Sequence, residues 1–191
     1  MTHLDWHITH AANGYMVHHD GMEDVLGGYE HAGIAIFILV LLTLLVVGGP
    51  RLRRAAACAG VATGIALLVG QILSRLVDRP RPFITHAHAV TLFSPHVADP
   101  GFPSDHATGA FAIAASVVAY DRRWGGVLLV LAAVLSVGRV ALGVHYPTDV
   151  IAGAALGVSA ALLVIHTPLR RHIEAIADRF GDRTAFRLPW A

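Results

Sequence analysis

The chain has 191 residues, 55 % of them hydrophobic and 14 % charged, with a formal net charge of +1. That balance excludes an ordinary soluble domain, gives no reason to expect a nucleic-acid partner, and fits one membrane domain. All 14 basic residues are arginine and none precedes Arg51, so the distribution of charge carries more than its sum.

The amino terminus lacks the basic segment of a cleavable signal peptide, so the first span is expected to act as its own insertion signal. Before that span, residues 4–26 mix Trp6, Ile8, Tyr15, Met16, Met22, Val25 and Leu26 with polar residues, which predicts one or two helices lying in the membrane interface. His3, His7 and His10 share a helical face there. A metal site is conceivable, but no carboxylate or cysteine completes a ligand set, and a solvated polar face is the simpler expectation.

Five segments are apolar enough to cross a bilayer: 32–49, 55–73, 104–120, 125–144 and 149–165. The expected fold class is therefore all-α, a polytopic bundle of five transmembrane helices preceded by interfacial helix. Three parts follow: an interfacial segment 1–31, a core 32–168 and an amphipathic tail 169–191. In the tail Ile173, Ile176, Ala177 and Phe180 recur at helical spacing among charges. Cys58 lies in an apolar stretch and reads as packing. Gly153 and Gly157 form a small-xxx-small pair that predicts close helix packing within the bundle, with dimerisation as the alternative.

Short loops rich in arginine stay cytoplasmic. Arg51, Arg53, Arg54, Arg122, Arg123, Arg170, Arg171, Arg179, Arg183 and Arg187 all fall on one side of a five-crossing topology, with the amino terminus outside and the carboxyl terminus inside. The other four, Arg75, Arg79, Arg81 and Arg139, fall on the outer side against that rule. An anion to be bound is the natural reason.

Three stretches meet at that outer face. Asp78-Arg79-Pro80-Arg81-Pro82-Phe83 stiffens two arginines with prolines, and their planar forks suit phosphate oxygens. Gly101-Phe102-Pro103-Ser104-Asp105-His106 starts the third span, where Ser104 reads as an N-cap at an anion-attracting helix end. His106, in the first turn of a membrane helix, reads as a proton-handling group. Gly138 to Asp149 carries Arg139, His145 and Asp149. Asp149 lies one turn beyond His145, which puts it within reach of one imidazole nitrogen and leaves the other free to attack.

Together these stretches resemble the signature of the type 2 phosphatidic acid phosphatase superfamily: a Lys, six residues, Arg-Pro; then Pro-Ser-Gly-His; then Ser-Arg, five residues, His, three residues, Asp. Arg81-Pro82, Pro103-Ser104 with His106, and Arg139 with His145 and Asp149 fall into that order and spacing. Three positions depart from it. Ser74 stands where the lysine is expected, Asp105 replaces the glycine and Gly138 replaces the serine. The Pro-Ser-Asp-His form, the Arg79–Phe83 run and the stretch from Pro95-His96 to Phe102 are similar to the bacitracin-resistance type of undecaprenyl-diphosphatase.

The resemblance implies a cofactor-free, metal-independent lipid phosphatase of the bacterial plasma membrane, with its site on the outer face. The implied substrate is undecaprenyl diphosphate, an isoprenoid diphosphate lipid, whose hydrolysis recycles the lipid carrier of cell-wall synthesis. His145 is then the nucleophile that forms a phosphohistidine, Asp149 its stabiliser and His106 the proton donor. Arg81, Arg139 and Ser104 hold the phosphate, and Arg75, Arg79 and Asp105 are further candidates around it, Arg75 or Arg79 supplying the charge of the missing lysine. A broader phosphatidate or phosphatidylglycerol-phosphate phosphatase is the alternative. A transporter would spread its charges through the midplane, whereas here they gather at one boundary, and the spans exclude a soluble haloperoxidase-like member. The 83–100 loop is long enough to cover the site, and the roles of His86, His88 and His96 stay open.

Overall fold

The computed structural model describes residues 3–93 and 96–185; Pro95 and Arg187, both named above, lie outside the described residues. Eight helices follow one another: α1 (His3–Val17), α2 (Asp20–Val46), α3 (Pro50–Val77), α4 (Pro82–Thr85), α5 (Asp105–Tyr120), α6 (Arg122–Ala141), α7 (Pro147–His166) and α8 (Leu169–Ala185). Proline opens α3, α4 and α7, where its missing N–H costs nothing. Asp121 caps α6 by accepting from the backbone of Arg123 and Trp124.

Segments within α2 and α3, and the whole of α6 and α7, are long and apolar enough to cross a membrane. The fifth expected span, α5, has 16 residues and runs at the centre of the bundle, packed chiefly on α7, α3 and α6. Its central position explains its composition. Ala110, Ala114 and Val117 are fully buried against Ala55, Ala59 and Ala62 of α3. Gly153 and Gly157 bring α7 so near that a Cβ on either would run into the Ser104 or Thr108 carbonyl oxygen, so the small-residue pair serves packing inside the bundle.

The outer surface is apolar instead. Leu39, Leu68, Val130 and Ile151 are each about two-thirds exposed, the arrangement expected where the surrounding solvent is hydrocarbon.

In the amino-terminal region one helix crosses the expected division. α2 runs unbroken from Asp20 to Val46, past residue 31, with no proline within it. α1 is a single helix whose buried residues are Asp5, Thr9, Asn13 and Met16, while Leu4, Ile8 and Tyr15 point outward. Its polar stripe faces the protein. Asn13 donates to the carbonyls of Thr91 and Ala141 and accepts from the Thr91 N–H, so α1 ties the long loop to the end of α6. Trp6 stacks on His86 at 3.7 Å, and His3 packs edge-on against His7. Among the described residues no group of three histidines, cysteines or carboxylates has a metal-holding arrangement.

The topology gathers the amino-terminal ends of α5 and α7, the carboxyl-terminal ends of α3 and α6, and the 78–104 segment at one end of the bundle. The opposite end carries α8 and the arginines at the starts of α3 and α6.

Candidate active site

His145 sits in the short turn between α6 and α7, 2 % exposed. The turn is tight because Gly143 adopts φ +76°, and its backbone is held by Val144 and His145 N–H groups that both donate to the Arg139 carbonyl. Nδ1–H of His145 donates to the Gly101 carbonyl at 2.8 Å. That bond assigns the proton to Nδ1 and leaves Nε2 as a lone pair. Two guanidinium groups converge on it: Arg81 Nη1 at 3.0 Å and Arg139 Nη2 at 3.1 Å. Burial first, then the positive fields of Arg139 and Arg81, push the imidazole well below the ordinary histidine range, so it is held neutral.

These groups open onto a cleft of about 460 Å³ lined by Arg75, Arg81, Arg139, His106 and His145 together with Asp105, Ser74 and Gln71. The structure therefore brings together, from three separate stretches, most of the residues singled out in the sequence. His106 is half-buried in the wall. Asp105 is at the exposed rim and accepts from Gln71 Nε2 at 2.9 Å. Arg75, next to the substituted lysine position Ser74, faces the same cleft and is exposed.

Asp149 and Arg79 are placed otherwise than the sequence suggested, while Ser104 takes its expected cap position but stands outside the cleft lining. Asp149 lies behind His145, but its Oδ2 is 3.6 Å from Nδ1, beyond a hydrogen bond. The reason is local. Asp149 is the third residue of α7 and accepts from the Tyr146 N–H at 2.8 Å, while the Gly101 carbonyl takes the imidazole proton. Ser104 is fully buried, caps α5 towards the Ala107 N–H and is not part of the cleft lining.

Arg79 turns to the other side of its segment. It donates to Thr148 Oγ1 at 2.6 Å, Asp149 Oδ1 at 2.7 Å and Asp5 Oδ2 at 2.8 Å. Its guanidinium also lies 4.4 Å from the Tyr146 ring centroid. The divergence of Arg79 from Arg81 follows from the prolines, since Arg81 at φ −72° and ψ 158° continues a polyproline-like path. With three residues per turn, side chains at i and i+2 point in different directions. Arg79 thus joins α1 to α7 through Asp5, Thr148 and Asp149. At Asp5, burial raises the carboxyl, but the bonds from Arg79 and Thr148 outweigh it and hold the group below the usual carboxylate range.

Four further groups carry no mark in the sequence. Asp99 accepts from Arg81 Nε at 2.9 Å and is about half exposed. Glu30, from α2, pairs with Arg139 and lies 3.3 Å from His96 Nε2. Asp5 supports Arg79, and the Gly101 carbonyl fixes the His145 tautomer. Histidines apart, the cleft sets Arg75, Arg81 and Arg139 against Glu30, Asp99 and Asp105.

A lone pair on a neutral imidazole, aimed between two fixed guanidinium groups, can attack a phosphorus whose oxygens those groups hold. Relatives with related chemistry are found by comparison. "Undecaprenyl-diphosphatase BcrC" of Bacillus subtilis is 31 % identical over 156 residues, covering 81 % of this chain and 79 % of that protein. "Decaprenylphosphoryl-5-phosphoribose phosphatase" of Mycobacterium tuberculosis is 36 % identical over 157 residues, 81 % of this chain and 85 % of its own. The solved structure of Aquifex aeolicus LpxE matches in fold, with TM-score 0.74 over 87 % of this chain and 97 % of that one at 20 % identity. The family described as PAP2 superfamily matches residues 55–173, a span that holds all three arginine- and histidine-bearing stretches, and the chain belongs to that superfamily.

Proposed function

We propose that the protein is a membrane phosphatase that removes the terminal phosphate of undecaprenyl diphosphate, yielding undecaprenyl phosphate and inorganic phosphate. The observation that carries the chemistry is the His145 Nε2 lone pair, 3.0 Å and 3.1 Å from the Arg81 and Arg139 forks, with Nδ1–H tied to Gly101. His145 Nε2 attacks the terminal phosphorus as the bridging P–O bond breaks, and His106 protonates the departing lipid phosphate. Arg81 and Arg139 hold the equatorial oxygens through the transition state. The resulting phosphohistidine is cleaved by water, with neutral His106 accepting its proton. Asp149 stabilises the imidazolium through space and fixes the start of α7, while Ser104 fixes the start of α5. No metal takes part in this scheme.

The lipid assignment rests on the relatives. The Bacillus protein is named for undecaprenyl diphosphate and the Mycobacterium protein for a decaprenylphosphoryl sugar, and both names specify a polyprenyl phosphate lipid. Arg75, exposed at the rim of the cleft and not engaged like Arg79, is suited to the phosphate that stays with the lipid, and Asp105 at the same rim limits how many anions gather there. The arginine distribution supports a bacterial plasma-membrane orientation with the cleft on the outer face and the carboxyl terminus in the cytoplasm. In that setting the reaction regenerates a lipid carrier for cell-wall assembly.

Phosphate release by the purified protein, from undecaprenyl diphosphate and from phosphatidate with chelator present, tests the proposal. Faster release from the diphosphate lipid is expected, unchanged by chelator, with a ³²P-labelled enzyme trapped by acid-free quenching from the parent and lost in His145→Ala. Undiminished labelling of His145→Ala removes the nucleophile assignment, and a preference for phosphatidate removes the lipid assignment.

A further inference from the structure

Glu30 belongs to none of the three phosphate-associated stretches, yet it is the carboxylate that meets Arg139. It lies on α2 with 4 % exposure, a placement that is costly for a carboxylate unless it is paired. Its Oε1 pairs with Arg139 Nη1 and lies 3.3 Å from His96 Nε2 in the 86–104 loop, while Oε2 is 3.3 Å from Nδ1 of His31 on its own helix. The other corner of the same guanidinium, Nη2, is 3.1 Å from His145 Nε2. Arg139 Nε has no hydrogen-bond partner. A guanidinium is a rigid plane, so fixing one nitrogen fixes the direction of the others. The fork of Arg139 is therefore oriented at one corner by Glu30, with His96 Nε2 3.5 Å from the same nitrogen, and at the other by the nucleophile position.

We infer that Glu30 is a positioning residue for phosphoryl transfer: it holds the Arg139 fork with Nη2 aimed at the space in front of His145 Nε2, and draws the loop through His96 to the same point. This rests on the phosphatase reading given above. It makes the first span part of the active site, although the matched family region starts only at residue 55. During transfer Nη1 stays on Glu30, and Nη2 passes from the imidazole to an oxygen of the transferring phosphoryl group, where its charge is needed most. Asp99, half exposed on the loop, is the counter-ion of Arg81 that leaves when phosphate arrives; Glu30, buried, is the one that remains.

The test uses the full chain in detergent, with Glu30→Gln and Glu30→Ala compared with the parent for kcat, KM, Tm and inhibition by orthovanadate, a mimic of five-coordinate phosphorus. Glutamine keeps an acceptor for Nη1 but loses the charge assistance, and alanine loses both. Expected are a fall in kcat of about tenfold for Glu30→Gln and about a hundredfold for Glu30→Ala, the range set by misplacing one transition-state donor. KM stays within about threefold, because such a donor acts mainly beyond the ground state. Vanadate inhibition weakens in parallel with kcat. The inference is overturned if Glu30→Gln keeps kcat within threefold, if vanadate binds either variant as tightly as the parent or tighter, or if activity loss merely follows a lowered Tm. A parent protein that releases no phosphate from any of the lipids is a failure of the phosphatase reading itself, and is distinguishable from all of these.

Discussion

The two ends of the helix bundle use the same residue types for different ends. Opposite the cleft, Arg54 places Nε and Nη2 on the two oxygens of Asp178, each at 2.8 Å. Nearby, Tyr120 Oη donates to Glu174 Oε1 at 2.6 Å, Arg170 Nε reaches the same oxygen at 2.8 Å, and Cys58 Sγ lies 3.2 Å from the phenol. These donors are directed at carboxylates within a network that ties α8 to α3 and α5. At the cleft end, Arg81 and Arg139 also hold carboxylates, but each aims a second corner at a neutral imidazole that is open to a cavity. What separates an anion site from a brace is a cation corner aimed at a neutral group beside a cavity, not the presence of the ion pair.

The contrast is sharpest at Arg139. Arg139→Lys is expected to lower kcat by about a hundredfold or more, since a single ammonium cannot span Glu30 and the space before His145. Arg54→Lys, at the opposite end, is expected to leave kcat within twofold. Phosphate release from the diphosphate lipid measures both, and equal losses would erase the distinction between the two ends.

A smaller effect separates two arginines of the cleft end itself. Arg75→Ala is expected to slow turnover of a diphosphate lipid about tenfold while leaving a monophosphate lipid within threefold. Arg79→Ala is expected to lower both substrates alike and to lower Tm, because Asp5 and Asp149 then lose their common cation. Selective loss in Arg79→Ala, measured as the ratio of kcat/KM for the two lipids, would reverse these assignments.

The smallest change is expected at the brace. Glu174→Gln removes the charge that Arg170 and Tyr120 share, and should lower Tm by about 4 °C, which corresponds to about 1–2 kcal/mol in a chain of this size, with kcat/KM within twofold. A large activity loss with unchanged Tm would show that the brace communicates with the cleft.

The spans, their order and the convergence of Arg81, Arg139, His106 and His145 were legible in the sequence because each has a local mark: an apolar run, a proline-stiffened turn, or a basic residue apart from the loops where the other arginines gather. Partners were not. Glu30, Asp5 and Asp99 are ordinary acidic residues in their own neighbourhoods, and only the approach of α2, α1 and the loop to α6, α7 and Arg81 gives them a cation. The direction of Arg79 was hidden for a related reason, since a proline-rich run announces stiffness but not which side each arginine takes. Asp149 was located to within a helical turn, yet the partner of His145 Nδ1 is a backbone carbonyl, which no sequence pattern marks. The full length of α2 was hidden by the polar pair Glu30 and His31, which lower local hydropathy without breaking the helix.

The inward polar stripe of α1 has a consequence for the order of assembly. Asp5 finds its partners at Arg79 and Thr148, and Asn13 finds its own at Thr91 and Ala141, so α1 depends on groups that follow it in the middle and far part of the chain. Contacts of such long sequence separation form late, after the loops that close them are in place. α1 thus precedes its partners in the chain yet is seated after them, once the turn before α7 and its Thr148 are in place.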